Sequence, residues 1–350
     1  MITSKKTNIE KLQNKITHLK LDAFLITDPN DLVYLTGIDL SGGYWAVITR
    51  KNACLITSKM LFLQLRKLSP EIKVIESKNT VLELKNILKT MKIKRIGFDS
   101  QKMMHAVVKN LQKKVNNVIW HPLQNIIEEF RQVKTPEEIE EIRKACKITM
   151  NVFKNIRSYI RPGITEKHIS NRIMELFYRN NASPAFLPIV ASGENTSYPH
   201  HLSSDRIIRK NDTLTIDLGA KYNNYCSDLT RTIFLGKITN LYNKIFKIVN
   251  NAQKSALFVV KPGIKASFID KIARKIIASK GYGKFFLHGT GHGVGLDIHE
   301  APGISPKSTV VLKSGMIITI EPGIYLKDKF GIRIEDTVLV TECGYELLTI

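Results

Sequence analysis

The chain has 350 residues, 43% of them hydrophobic, and its 53 lysines and arginines outnumber 31 aspartates and glutamates to give a net charge of +22. This length exceeds one average domain and predicts two, and the apolar share excludes a disordered chain. No apolar run reaches the roughly 18 residues that a membrane helix needs, so we expect no membrane partner. The N-terminus lacks an apolar signal segment and no cysteine lies in a CxxC pair, which favours a cytoplasmic location.

Residues 1–122 alternate short apolar runs with helical patterns. Candidate strands cover residues 23–27, 44–49, 53–57, 73–76 and 95–98. Helical patterns cover residues 80–91 and 102–115. The alternation predicts an N-terminal α/β domain over residues 1–122.

A long helix is predicted near the start of the second domain, residues 123–350. Thr135 precedes Pro136, and Glu138 follows Thr135 by three positions, which is the pattern of a capping box with proline at the first helical position. Apolar residues then step by three or four, as an amphipathic helix requires: Ile139, Ile142, Ala145, Ile148 and Val152. We therefore expect a helix from about residue 136 onward.

The second domain repeats itself. RPGI at 161–164 recurs as KPGI at 261–264, and each copy joins two amphipathic helical patterns. Beyond each helix pair, an apolar strand delivers an acid followed by x-Gly, and an acid followed by x-Thr comes later. These acids are Asp217 and Asp228 in the first copy, and Glu321 and Glu335 in the second. The duplication predicts two halves related by a pseudo-two-fold, with a site at their junction.

Acids at the ends of apolar strands require cations if they converge, because buried like charges repel one another. Strand alternation places Arg333 and Glu335 on one face of a strand. The segment LHGTGHGVGLDIHE adds three histidines: His288, His292 and His299. Two hard divalent ions bridged by carboxylates, with one imidazole at the edge, would use such a set. Oxygen-rich ligation favours Mn²⁺ or a similar ion over a thiolate-type zinc site.

Other interpretations of these patterns are weaker. HGTGHGVG lacks the GK[ST] ending of a P-loop and the spacing of the dinucleotide fingerprint. Its glycines and the missing glutamate argue against a zincin helix. The basic surplus contains no block of five or six cations and no nucleic-acid module signature, so we expect no nucleic-acid partner.

Several strings in order resemble the pita-bread metallopeptidases, the group that includes methionine aminopeptidase, aminopeptidase P and prolidase. They are ASGENTSYPHHLSSDR, TLTIDLGA, YCSDLTRT, HGTGHGVGLDIHE, ITIEPGIY and GIRIEDTVLV. The resemblance is strong over residues 123–350 and weaker over 1–122, where NDLVYLTGI and GGYWAVITR carry it. The N-terminal domain is similar to that of the Xaa-Pro branch. The implied fold is a creatinase-type α/β domain followed by an α+β pita-bread catalytic domain with internal pseudo-two-fold duplication.

Carried over residue by residue, the resemblance implies two divalent metal ions, with Mn²⁺ expected and Co²⁺ or Zn²⁺ as alternatives. The implied ligands are Asp217, Asp228, His292, Glu321 and Glu335. It further implies His200 as a substrate-contacting histidine, with His201 the neighbour most readily confused with it. His288 and His299 would support the metal histidine or the transition state. Arg333 would tether a ligand carboxylate, and Glu321 would also shuttle the proton of the attacking water.

The implied activity is hydrolysis of the Xaa-Pro bond of dipeptides or short peptides by a hydroxide that bridges the two ions. By the same resemblance we expect a homodimer. The motifs leave dipeptidase and aminopeptidase open. The alternative is a non-catalytic peptide- or protein-binding member of the same fold. Such relatives typically have lost metal ligands, and because this chain keeps the whole set, the enzyme is favoured.

Overall fold

The structure is a computed structural model that describes the backbone of residues 2–350 and the side chains of residues 7–350. Its contacts divide the chain into one unit that ends at Arg131 and a second unit that spans Gln132–Ile350. This division comes later than the predicted boundary after residue 122, because the short helix Ile126–Arg131 beyond that point packs against helices of the first unit. Within residues 2–350, no helix is both long enough and apolar enough to cross a bilayer.

The first unit alternates helices and strands, as predicted. Its helices are α1 (Ile2–His18), α2 (Pro29–Thr36), α3 (Lys59–Leu68), α4 (Thr80–Thr90), α5 (His105–Lys114) and α6 (Ile126–Arg131). Its strands are β1 (Ala23–Ile26), β2 (Tyr44–Thr49), β3 (Ala53–Thr57), β4 (Lys73–Glu76), β5 (Arg95–Asp99) and β6 (Ile119–Leu123).

These strands form one mixed sheet in the order β4-β3-β2-β1-β5-β6. The core on this sheet includes Leu25, Val47 and Ile96, which alternation points inward along their strands. The helix predicted from residue 102 begins instead at His105. The preceding residues form a turn in which the Asp99 side chain accepts a hydrogen bond from the Gln101 amide at 2.9 Å.

The second unit contains two helix pairs and several small sheets. Its helices are α7 (Pro136–Tyr159), α8 (Glu166–Arg179), α9 (Asn240–Phe258) and α10 (Ala266–Ser279), with short 3₁₀ turns at Gly193–Ser197 and Gly283–Phe285. Its strands are β7 (Ser183–Pro184), β8 (Ile189–Ser192), β9 (Thr213–Leu218), β10 (Ala220–Tyr222), β11 (Tyr225–Cys226), β12 (Leu229–Phe234), β13 (Gly291–Gly293), β14 (Glu300–Ile304), β15 (Ile317–Ile320), β16 (Gly323–Leu326), β17 (Phe330–Arg333), β18 (Asp336–Val340) and β19 (Tyr345–Leu347).

The capping box predicted for the first of these helices is confirmed. The Thr135 hydroxyl accepts a hydrogen bond from the Glu138 amide, and the Glu138 carboxylate accepts one from the Thr135 amide at 2.8 Å. These two bonds satisfy amides that a helix N-terminus would otherwise leave unpaired. They fix α7 at the start of the second unit.

The duplication read from RPGI and KPGI is present in three dimensions. Gly163 and Gly263 both have positive φ, at 101° and 84°, between the helices of each pair. The amide of Gly163 donates to Ile208 O at 2.9 Å, and that of Gly263 donates to Leu312 O at the same distance. Only glycine adopts such φ values without strain, so the repeated Pro-Gly marks the same turn in both halves.

Each half builds its own core from a helix pair and a sheet. In the first half, α7 and α8 pack on β8 and β9 through residues such as Ile156, Ile173 and Ile216. In the second half, α9 and α10 pack on β15 and β18 through residues such as Val249 and Ile318. The helices cover one face of each sheet and leave the strand ends that carry the four predicted acids uncovered by this packing.

Candidate metal centre

The four predicted acids lie at the ends of two antiparallel strand pairs. In the first pair, β9 and β12, Asp217 lies opposite Thr230, and Asp228 immediately precedes β12. In the second pair, β15 and β18, Glu321 follows the last residue of β15 and Glu335 precedes the first residue of β18. Each half therefore contributes two carboxylates from one end of a strand pair.

His292 reaches this cluster because the chain approaches β15 very closely. A Cβ on Gly291 would lie 1.9 Å from Thr319 O, so only glycine fits there. The His292 amide donates to Thr319 Oγ1 at 3.0 Å. Its Nε2 lies 3.4 Å from Glu321 Oε1 and 3.5 Å from Asp228 Oδ2. Burial, with the neighbouring His299, lowers the pKa of His292 to about 4, so the ring is neutral at pH 7, as a metal ligand must be.

All the site residues named from the sequence line one cavity of about 380 Å³ in the second unit. They are His200, Asp217, Asp228, His288, His292, His299, Glu321, Arg333 and Glu335. The cavity wall also includes Phe186, Ile189, Pro199, Gly289, Gly291 and Ile298. The individual roles of the nine residues stay predictions, but their convergence follows from the fold.

The carboxylates fit bound cations. Within the described residues, Asp217 Oδ1, Asp228 Oδ1 and Glu335 Oε1 are buried and have no hydrogen-bond partner. Ligand atoms of Asp228, His292 and Glu335 lie within 4.8 Å of one another. Burial and then the charge of neighbouring carboxylates raise the pKa values of Asp228 and Glu335 well above the ordinary range, and burial raises the pKa of Glu321 to about 7. Such a cluster holds its negative charge at neutral pH only beside positive ions.

Arg333 binds the cluster from the side. Its Nη2 donates to Asp217 Oδ2 at 2.7 Å, its Nε donates to Thr230 Oγ1, and its Nη1 donates to Pro199 O and to the Tyr325 hydroxyl. The prediction that Arg333 and Glu335 share one strand is wrong. β17 ends at Arg333 and pairs with β16, whereas β18 begins after Glu335 and pairs with β15, so the two strands belong to different sheets. Between them, the Glu335 amide donates to Thr230 O.

His288 is held by the protein through both ring nitrogens. Nε2 lies 2.8 Å from the Tyr325 hydroxyl, and Nδ1 lies 2.8 Å from Gly289 O. Because Tyr325 accepts from Arg333, its hydroxyl proton is free to donate to His288 Nε2, which leaves the ring proton on Nδ1. Burial lowers the pKa of His288 to about 4. The ring is thus an oriented, neutral part of the wall.

The other histidines differ in whether they line the cavity. His200 and His299 line the cavity, and the His299 ring centroid is 4.3 Å from that of His292. His201 is not part of the cavity wall, and its Nε2 lies 2.8 Å from Glu166 instead.

The sequence reasoning missed two polar residues of the site. Tyr325 lies within the string EPGIY and Thr230 within SDLTRT, but the motifs alone indicate no role for either. Thr230 donates to Glu335 Oε2 at 2.7 Å and accepts from Arg333, so it links the candidate metal ligand Glu335 to Arg333. Thr230 is the threonine of the acid-x-Thr repeat that follows Asp228, and this repeat is the sequence signal that could have identified it.

Comparisons with known proteins bear on this geometry. The model of Metallopeptidase family M24 matches residues 140–342, and that of the Creatinase/Prolidase N-terminal domain matches residues 8–133. A related protein, the Xaa-Pro dipeptidase of Pyrococcus furiosus, is 38% identical over 98% of each chain. A solved structure of Xaa-Pro dipeptidase from Bacillus anthracis has a TM-score of 0.95 at 33% identity, covering 99% of this chain and 97% of that one. For X-Pro aminopeptidase from Thermotoga maritima the TM-score is 0.88 at 34% identity, covering 96% and 97%.

The chain belongs to metallopeptidase family M24. The predicted resemblance and the predicted architecture, a creatinase-type domain followed by a pita-bread catalytic domain, are therefore confirmed. Family membership makes the chain a hydrolase and implies divalent metal ions, for which the buried carboxylate cluster is the matching site.

Proposed function

We propose that this M24 chain is an exopeptidase that hydrolyses the Xaa-Pro bond of dipeptides or short peptides. The observation that carries the proposal is that four carboxylates and one imidazole converge in one cavity of about 380 Å³, in a chain 38% identical to an Xaa-Pro dipeptidase. A cavity of this size suits a small peptide. A non-catalytic binding protein would have no need to keep costly buried carboxylates together.

The residues that would hold two divalent ions are Asp217, Asp228, His292, Glu321 and Glu335. The oxygen-rich set and the partnerless buried oxygens support this assignment, and they favour Mn²⁺, with Co²⁺ or Zn²⁺ as alternatives. When bound, such ions supply a water that is acidic at neutral pH and polarise the scissile carbonyl.

The chain's own side chains would then orient the substrate and move protons. Glu321 carries the proton from the attacking water to the proline nitrogen, and His200 and His299 contact the substrate and the developing oxyanion. Arg333 holds Asp217 in place at 2.7 Å, and Tyr325 holds the His288 ring. The Xaa-Pro bond has no N–H, so this site must grip the peptide without that hydrogen bond.

The choice between dipeptidase and aminopeptidase follows the comparisons. A dipeptidase is favoured by the similarity to the Pyrococcus furiosus and Bacillus anthracis enzymes. An X-Pro aminopeptidase is the second candidate because the Thermotoga maritima enzyme is also similar over nearly the whole chain. We also propose that the protein is a homodimer, that it acts in the cytoplasm and that its partners are short proline peptides. Light scattering of the purified protein tests the dimer.

Parallel assays on Ala-Pro, Ala-Pro-Ala and Ala-Ala test the proposed function. We expect hydrolysis of Ala-Pro by protein loaded with Mn²⁺, little hydrolysis of Ala-Ala, and loss of activity and of bound metal together in the Asp228→Ala variant. Cleavage of Ala-Pro-Ala but not Ala-Pro would select the aminopeptidase. Hydrolysis of neither proline peptide with any of the three metals would refute the proposal and favour a binding protein.

A further inference from the structure

The buried carboxylate of Glu166, at the first residue of α8, organises the loop that carries His200. Glu166 Oε1 accepts hydrogen bonds from the Ser192 amide and hydroxyl, both at 2.7 Å, and from Asn195 Nδ2 at 3.0 Å. Glu166 Oε2 accepts from the Ser204 amide and hydroxyl and lies 2.8 Å from His201 Nε2. The side chain is fully buried. One carboxylate therefore ties both ends of the segment 192–204.

The middle of that segment reaches the cavity. Pro199 and His200 line it, and Pro199 O accepts a hydrogen bond from Arg333 Nη1 at 3.1 Å. The Thr196 hydroxyl accepts from the Gly331 amide at 2.8 Å. The loop is thus fixed at its ends by Glu166 and at its centre by β17, so the position of His200 depends on both.

A second buried acid, Asp270 on α10, holds the other histidine loop. Asp270 Oδ1 accepts from the Thr290 amide at 3.1 Å and from the Thr290 hydroxyl at 2.9 Å. Both Asp270 oxygens also accept from Arg274, at 3.0 Å each. Arg274 in turn donates to the carbonyls of Phe286 and His288. The carboxylate and its arginine together clamp residues 286–290.

This clamp leads directly to the candidate metal ligands. The Glu321 amide donates to Thr290 O at 2.7 Å, and His292 follows Thr290 by two residues. Because Thr290 bonds to Asp270 through its amide and hydroxyl and to Glu321 through its carbonyl, one residue links α10 to the metal side of the cavity.

The duplication relates the two acids. α8 and α10 are the second helices of the two pairs, and residues 165 and 265, which precede them, form equivalent isolated bridges to Ile207 and Val311. Counted from these bridges, Asp270 lies four residues further along its helix than Glu166. Four residues are about one turn, so both side chains leave the same helix face. Each half therefore places a buried acid on the second helix of its pair, although the two acids are one turn apart and are not equivalent positions of the repeat.

We propose that Glu166 and Asp270 are paired positioning residues, Glu166 for the substrate-contacting His200 and Asp270 for the metal ligands His292 and Glu321. The inference rests on the proposed function of the site. The second helices of the two halves then have different roles, because α8 positions a substrate-contacting histidine and α10 positions two of the metal ligands. Partners that orient metal ligands typically change metal affinity about 10–100-fold when removed, and small displacements of substrate contacts cost about 100-fold in rate.

The isosteric variants Glu166→Gln and Asp270→Asn separate these two roles. We expect E166Q to lose at least about 10-fold in kcat/KM on Ala-Pro while retaining metal as the wild type does. We expect D270N to release Mn²⁺ at an about 10-fold or more lower concentration of competing chelator. Glu194→Gln and Asp205→Asn, exposed acids in the same region as the His200 loop, are the matched controls and should leave both measurements unchanged.

A double-mutant cycle distinguishes positioning from a loss of structure. Because Glu166 acts through His200, adding E166Q to His200→Ala should lower kcat/KM little further, and E166Q alone should divide its loss between kcat and KM as H200A does. If a carboxylate variant does not fold, Ser204→Ala and Thr290→Val remove single donors and should change the same quantities in the same direction.

The outcomes separate this inference from the proposed function. Additive losses in the cycle, wild-type kinetics in E166Q, or wild-type metal retention in D270N would overturn the positioning roles while the wild type still hydrolyses Ala-Pro. Absence of Xaa-Pro hydrolysis by the metal-loaded wild type would instead refute the proposed function itself.

Discussion

Asp228 illustrates the energetic cost of the metal site at the scale of one residue. Its side chain is 6% exposed, its Oδ1 has no partner among the described residues, and Glu335 and Asp217 add like charge. A buried carboxylate without a compensating cation opposes folding. The site is therefore a place where stability has been given up for metal binding.

Replacing Asp228 by Asn should stabilise the metal-stripped protein. Removing one buried charge from the cluster relieves repulsion and desolvation, and we expect the free energy of unfolding to rise by about 1–2 kcal/mol at pH 8, as at other strained functional sites. Urea unfolding in the presence of chelator measures this. Asp212→Asn is the control and should destabilise, because Asp212 pairs with Arg206 at 2.7 Å. A less stable D228N would show that the cluster is not under electrostatic strain.

Local signals in the sequence were reliable where neighbouring residues determine the structure. The capping box at Thr135, the Pro-Gly turns and the strand-end acids all follow from spacing of a few residues, and each is present. α1 and β6 were missed. Buried residues of α1 recur only every fourth position, at Asn8, Leu12 and Ile16, which makes a narrow stripe. β6 contains Pro122, which an edge strand tolerates but which hides the strand pattern.

The capping box gives a prediction at the scale of one helix. Thr135→Ala removes the side-chain acceptor for the Glu138 amide, and we expect a loss of about 1 kcal/mol in the free energy of unfolding of the second unit. Ser158→Ala, an exposed change near the end of the same helix, should stay within about 0.5 kcal/mol of the wild type. Equal effects of the two changes would contradict a specific role for the cap.

The stability contributed by the hydrogen bonds between Glu166 on α8 and the loop that carries His200 should depend on pH. Although burial raises the pKa of Glu166, hydrogen bonds from Ser204, Ser192 and Asn195 outweigh it and hold the pKa below its ordinary value of 4.5. An acid with a lowered folded pKa contributes stability above the unfolded pKa and loses it as pH falls through the folded pKa. The stability difference between the wild type and E166Q should thus be constant from about pH 7 to 5 and shrink below about pH 4.5. Unfolding curves that show a difference growing on acidification would refute this.

At the scale of the whole molecule, the sequence predicts the duplication but not the hydrogen bonds that attach the second helix of each half to a histidine loop. The four acids and the histidines are visible as motifs because each lies in a short repeated or glycine-rich string. Glu166 and Asp270 are not, since each bonds to a loop at least 20 residues away and the pairing depends on tertiary packing. For the same reason, the boundary between the two units after Arg131 could not be located from composition alone.

The net charge of +22 should influence substrate capture. A strongly basic protein attracts the free carboxylate of a short peptide, and salt screens this attraction. We expect kcat/KM on Ala-Pro to fall as salt rises from about 20 to 200 mM while kcat stays nearly constant. Ala-Pro amide, which lacks that carboxylate, is the control and should show a weaker dependence on salt. Equal salt dependence for both substrates would contradict electrostatic capture.

Titration of metal-stripped wild type with Mn²⁺, with Ala-Pro hydrolysis and bound metal followed in the same samples, is the decisive experiment for the carboxylate cluster. A two-ion peptidase site predicts that the stripped protein is inactive and that activity returns as two ions bind per chain. Full hydrolysis without metal, or saturated metal binding without hydrolysis of any Xaa-Pro peptide, would contradict a two-ion Xaa-Pro peptidase.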